Sequence, residues 1–137
     1  MYLHDENLEL INSDELIREL LEDKTLLEGK KISSKEAEEL LLEWYNKSDY
    51  FISNILFSRQ YLIMFEERRF LRLGDLLKKL KKIVCRIIKD TSTAEDIISA
   101  ILEGIAILIP GGVVIKTILK KIVKYFLERG YQKICEI

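Results

Sequence analysis

The sequence predicts an all-α fold: a compact bundle of five or six helices, forming one domain over residues 1–137, with a C-terminal helical hairpin turning at Pro110-Gly111-Gly112. Three observations lead there. One proline and six glycines are few breakers for 137 residues, and Leu, Ile, Lys and Glu supply most positions. Apolar residues recur at steps of three and four, the spacing that keeps them on one side of a helix. A capping residue followed three positions later by a glutamate occurs three times, at Asn12/Glu15, Ser33/Glu36 and Ser92/Glu95. Hydrophobic residues make up 48% and charged residues 33%, which suits amphipathic helices that bury a core without disulfide or metal support.

The first helix is expected over 14–28, capped by Asn12, with Leu16, Ile17, Leu20, Leu21 and Leu27 on its apolar side and Gly29 at its end. Residues 29–33 form a connection. Ser33 then caps a second helix whose inner side carries Ala37, Leu40, Leu41 and Trp44, with Glu38, Glu39 and Glu43 outward. Asn46-Lys47-Ser48-Asp49 reads as a break. Beyond it, Tyr50, Phe51, Phe57, Tyr61, Phe65 and Phe70 mark a central helix that is apolar over much of its circumference. Aromatics at helical spacing are read as packing, so no cofactor follows from them.

Gly74-Asp75 is the next joint, with Asp75 as cap of a helix reaching Lys89. Leu73, Leu76, Leu77, Leu80, Ile83, Val84, Ile87 and Ile88 form its unbroken apolar stripe. After the turn at 90–92, a helix is expected from Thr93 to Ile109. Proline disfavours helix in the residue before it and two glycines permit a reversal, so Pro110-Gly111-Gly112 interrupts the apolar run. The last helix should run from Val113 to Arg129 and stop at Gly130, with Tyr131, Ile134 and Ile137 docking the tail. The expected core includes Leu20, Leu41, Ile55, Leu62, Leu77, Leu80, Val84, Ile101, Ile105, Ile118 and Ile122.

Charge is sorted along the chain. Residues 1–49 hold fourteen Asp or Glu against six Lys or Arg, whereas residues 50–137 hold nine against sixteen, so the net charge of −1 is a cancellation. Acidic helices followed by basic and apolar ones offer opposite surfaces to each other, or to partners. The densest basic face, on the helix over 68–89, carries Arg68, Arg69, Arg72, Lys78, Lys79, Lys81, Lys82, Arg86 and Lys89. A second set, Lys116, Lys120, Lys121 and Lys124, lies on the last helix.

Little here reads as chemistry. The single histidine, His4, sits before any helix, on what reads as a mobile terminus, and with Asp5, Glu6 and Glu9 it makes an ordinary polar N-terminus rather than a metal site. Gly111-Gly112-Val113-Val114-Ile115-Lys116-Thr117 imitates the end of a phosphate-binding loop, but Ile115 stands where a glycine is required and a helix precedes it. Adjacent carboxylates such as Glu38/Glu39 and Glu66/Glu67 do not face one another on a helix. The sequence therefore predicts no catalytic residues, no cofactor and no metal. Cys85 and Cys135, far apart and outside any CxxC cluster, read as reduced thiols, which together with an acidic N-terminus lacking a signal-peptide core points to the cytoplasm.

The function expected is a non-enzymatic helical interaction module, an adaptor, inhibitor or regulatory subunit, binding a protein partner or itself. A different class is a peripheral membrane protein that lays the apolar hairpin 97–123 and its adjacent lysines on an anionic bilayer. A third is a nucleic-acid-binding module using the basic helix 68–89, where aromatics for stacking and Asn or Gln for base edges are missing between Arg72 and Lys89.

Overall fold

The computed structural model describes residues 2–56 and 75–135, and of 54–56 the backbone alone. Five α-helices occur among these: α1 (Ser13–Glu22), α2 (Ser34–Leu56), α3 (Leu76–Ile87), α4 (Ala94–Leu108) and α5 (Lys116–Cys135), with a 3-10 turn at Pro110–Gly112 between the last two. The all-α bundle and its C-terminal hairpin are as expected. Phe57, Tyr61, Leu62, Phe65, Arg68, Arg69, Phe70, Arg72, Leu73, Gly74 and Ile137, and the Ile55 side chain, lie outside the described residues.

Three of the helices, α1, α2 and α4, start where a local side chain satisfies their first amides. The Asn12 side chain accepts from the Asp14 and Glu15 amides at 3.0 and 3.2 Å. Ser33 Oγ accepts from the Glu36 amide at 3.1 Å. At α3 the expected cap is replaced: Asp75 occupies the position without a side-chain bond, and Glu38 Oε2 on α2 accepts from the Leu77 amide at 3.2 Å. A tertiary contact thus does the work expected of a local one. The α4 cap is shifted by one residue, because Thr93 and Asp96 also have the required spacing: Thr93 Oγ1 accepts from the Asp96 amide at 3.3 Å, and Asp96 Oδ2 from the Thr93 amide at 3.0 Å. Ser92 instead closes the preceding turn, its Oγ accepting from the Lys89 amide at 2.8 Å.

Two expected boundaries in the N-terminal half move. α1 ends at Glu22, not 28, since Asp23 Oδ1 accepts from both the amide and the hydroxyl of Thr25 at 2.9 and 2.6 Å and so folds the backbone out of the helix. α2 runs straight through 46–49. Leu41, Tyr45, Ser48 and Ile52 fall at steps of four, three and four on its buried side, with Trp44 beside them, so Ser48 is a small polar member of a continuous stripe and not a joint.

One apolar core draws on all five helices, with Leu20, Leu41, Trp44, Leu77, Leu80, Val84, Ile98, Ile101, Ile105, Ile118, Ile122 and Phe126 among its members. Every residue of the expected core whose side chain is described is buried. The hairpin fills the middle of the bundle, where Ile97, Ile98, Ile101, Leu102, Ile105, Leu108, Val114, Ile115, Leu119 and Val123 pack inward. Gly104 lets α4 approach α3 closely, because a Cβ there would collide with the Leu80 side chain. Among the described residues no helix is long and apolar enough to cross a membrane.

The N-terminal segment is docked, not mobile. The His4 amide donates to the Gly112 carbonyl at 2.9 Å, the Val114 amide donates to the His4 carbonyl at 2.7 Å, and His4 Nδ1 bonds the Gly111 carbonyl at 2.8 Å. Leu3 is fully buried as a result. The 3-10 turn is shaped for this contact: Gly112 has a φ of +58°, and a Cβ there would lie 2.6 Å from the Tyr2 carbonyl oxygen. Trp44 Nε1 donates to the Val113 carbonyl at 2.6 Å from inside the core and fixes the same turn from the other side.

The two cysteines are joined. Cys85 on α3 and Cys135 at the end of α5 form a disulfide with Cα atoms 5.4 Å apart, which corrects the expectation of reduced thiols and removes the cysteine argument for the cytoplasm. The geometry that permits it is Gly130. Expected as the end of the last helix, it is instead a kink of φ +74° within α5, redirecting Tyr131–Cys135 back onto the core so that Ile134 is buried.

Candidate interaction surface

The two sets of cations singled out in the sequence have different fates. On α5, Lys116 pairs with Glu19 at 3.2 Å and Lys120 with Asp23 at 3.1 Å, so the acidic first helix neutralises the start of the last one. Lys124 is buried and pairs with Glu128 one turn on, at 3.1 Å, while also donating to the Lys30 carbonyl. Only Lys121 in this set stands exposed without a carboxylate among the described residues.

Around Lys124 a polar strap holds the 30–34 connection to α5. Glu128 Oε1 accepts from the Ile32 amide at 3.2 Å, and Arg129 donates to the Ile32 carbonyl at 2.6 Å and to the Tyr125 carbonyl at 3.0 Å while lying 3.8 Å from the centre of the Tyr125 ring. Tyr125 completes it with a 2.8 Å hydrogen bond to Ser34 Oγ. Burial pushes the Tyr125 hydroxyl up, but hydrogen bonds from Lys81 and Ser34 and the charges of Lys81 and Arg129 outweigh it and leave the group below the ordinary tyrosine value. Asp23 is held at about 2, by the Thr25 hydroxyl and amide first and by Lys120 after them. A cleft of about 590 Å³ opens between residues 23–32 and α5, lined by Leu26 and Ile32 and by Lys30, Lys31 and Lys121 together with Glu28 and Glu36. Its charges are mixed, and nothing in it selects one sign of ligand.

The α3 set divides as well. Lys81 turns inward with its Nζ 5.3 Å from the centre of the Tyr125 ring, on the same side of α3 as Cys85, and so leaves the face expected of it. Lys78, Lys79, Lys82, Arg86 and Lys89 point outward and meet no carboxylate among the described residues. Alongside them runs a groove of about 250 Å³ between α3 and α4, lined by Lys79, Lys82, Ile83, Arg86, Ile107 and Leu108. Positions 79, 82 and 86 lie at steps of three and four and form one ridge, while Ile83 and Ile107 supply an apolar floor.

Ile107 is 60% exposed and Ile87 44%. The sequence reading placed Ile87 on the inner stripe and did not single out Ile107. For Ile107 the signal was available: Ile97, Leu102 and Ile107, at steps of five, cannot share one face of α4. No group of His, Cys, Asp or Glu suited to a metal occurs among the described residues. Set against protein-family models, curated proteins and solved structures, the chain finds no match in any of the three.

Proposed function

We propose that this chain is a helical protein-protein interaction module, an adaptor, inhibitor or regulatory subunit, that meets its partner through the outward side of α3. One observation supports this above the rest: the bundle pairs Lys116, Lys120 and Lys124 of α5 with its own carboxylates, and leaves Lys78, Lys79, Lys82, Arg86 and Lys89 on the side of α3 that also carries exposed isoleucine without such partners among the described residues. A surface that is cationic and apolar together suits protein association better than simple solvation, for which the isoleucines are unfavourable.

The membrane reading draws less support, since the hairpin 97–123 turns most of its apolar side chains into the core and Lys116, Lys120 and Lys124 are engaged within the molecule. The nucleic-acid reading has cations for phosphates but no aromatic on α3 for stacking. The test is cross-linking in native lysate followed by mass spectrometry, comparing the wild type with a Lys78/Lys82/Arg86/Lys89→Glu variant. Cross-links from Lys79 to one partner protein, lost in the variant, are expected; a partner set unchanged by the reversal, or no protein partner at all, overturns the proposal.

A further inference from the structure

Resting on that reading, we infer that the groove between α3 and α4 is a docking site for an acidic amphipathic helix of a partner protein. Its lining holds three cations and no carboxylate, with Lys79, Lys82 and Arg86 rising beside a floor of Ile83, Ile107 and Leu108. The larger cleft beside α5 mixes lysines with Asp23, Glu28 and Glu36 and shows no such preference.

The shape selects a helix. Cations at positions 79, 82 and 86 repeat at 1.5 Å per residue over about two turns, so carboxylates at matching steps of three and four on an antiparallel or parallel partner helix reach all three at once. The apolar floor then takes one or two leucine-sized side chains from the same face, the usual arrangement when an amphipathic helix lies in a groove. Part of this apolar surface is already accessible, Ile107 being 60% exposed, so docking removes it from water without opening the core. A bilayer fits less well. Of the apolar residues that line the groove only Ile107 protrudes, Ile83 being half-buried and Leu108 buried, which leaves little for a lipid surface to take up. Nucleic acid would satisfy the three cations and leave the isoleucine floor against a polar backbone.

The probe is a designed helical peptide with Leu at i and i+4 and Glu on the flanking positions, titrated against the intact chain and followed by the isoleucine methyl resonances. A peptide of identical composition in scrambled order keeps the charge and abolishes the amphipathic face. Ile83 and Ile107 methyls should shift with the ordered peptide, its affinity should exceed that of the scrambled one by about tenfold or more, and Lys82→Glu/Arg86→Glu should weaken it by at least about tenfold. Ile107→Asp should do the same; both variants change exposed positions, and unchanged thermal melts verify that they fold. Equal affinity for the two peptides, or shifts confined to residues away from the groove, overturns the inference. So does a preference for phosphatidylserine vesicles or single-stranded RNA over the ordered peptide through the same residues, or a second copy of the chain filling the groove by light scattering. If the groove fails while cross-links from another surface of the chain identify a partner, the site is wrong and the interaction module stands.

Discussion

Reducing the Cys85–Cys135 bond should cost this bundle a large part of its stability. The bond closes a loop with a sequence separation of 50. In the chain-entropy treatment, releasing a loop of that length returns about 14 cal/mol/K to the unfolded chain, or about 4 kcal/mol at room temperature. Against a total of about 5–15 kcal/mol for a domain of this class, that is enough to decide whether the chain stays folded on warming. With an unfolding entropy of about 2.1 cal/mol/K per residue, the melting temperature should fall on the order of ten to fifteen degrees. The assay is a pair of thermal melts, with and without dithiothreitol, together with Cys85→Ser, which should melt where the reduced wild type does and ignore the reductant. Urea titration should show the same loss. Two results would refute the reasoning: identical melts under both conditions, or alkylation of both cysteines in protein purified without reductant.

Other consequences are sharp enough to check. Leu80 is fully buried at the closest approach of α3 and α4, so Leu80→Asp adds an unpaired carboxylate to the loss of packing, a cost above about 5 kcal/mol, and should abolish cooperative melting by circular dichroism. Gly112→Ala combines a left-handed backbone with a Cβ 2.6 Å from the Tyr2 carbonyl and should destabilise by about 2 kcal/mol or more in urea; Gly29→Ala, with a φ of +90° and no atom within 4 Å of its Cβ, should cost about 1 kcal/mol, the torsional part alone. Because Asp23 drops from 3.8 to about 2 on folding, its carboxylate contributes stability that is fully present above pH 4 and disappears as pH falls through 2. The difference in melting temperature between wild type and Asp23→Asn should therefore shrink across that interval, and a constant difference would exclude the carboxylate as its source.

Much of the architecture was legible because helix signals are local. The α3 stripe from Leu76 to Val84 and the cap at Asn12 depend on residues within a few positions, and each appears in the structure where those residues place it. What escaped the sequence depends on neighbours remote in the chain. The cap supplied by Glu38 to α3, the disulfide reached through the bend at Gly130, and the seating of His4 on Gly111 and Gly112 all join segments whose proximity no spacing rule encodes. The cationic faces were half legible. Their lysines were visible, but whether a lysine is neutralised from within turned on α1 packing against α4, which leaves Glu19 in reach of Lys116 and Asp23 in reach of Lys120.

The seating of the N-terminal segment also bears on the order in which the molecule assembles. His4 and Gly111 are 107 positions apart, and ordering so long a loop is unfavourable until a surface exists to receive it. The receiving surface is the turn that α4 and α5 build between themselves, so the strap has nothing to zip onto before those two helices have met. Residues 3–11 should accordingly be the last to register and the first to lift away, and the amide protons of His4, Ile11 and Val114, which seal it, should exchange with solvent well before those inside α4.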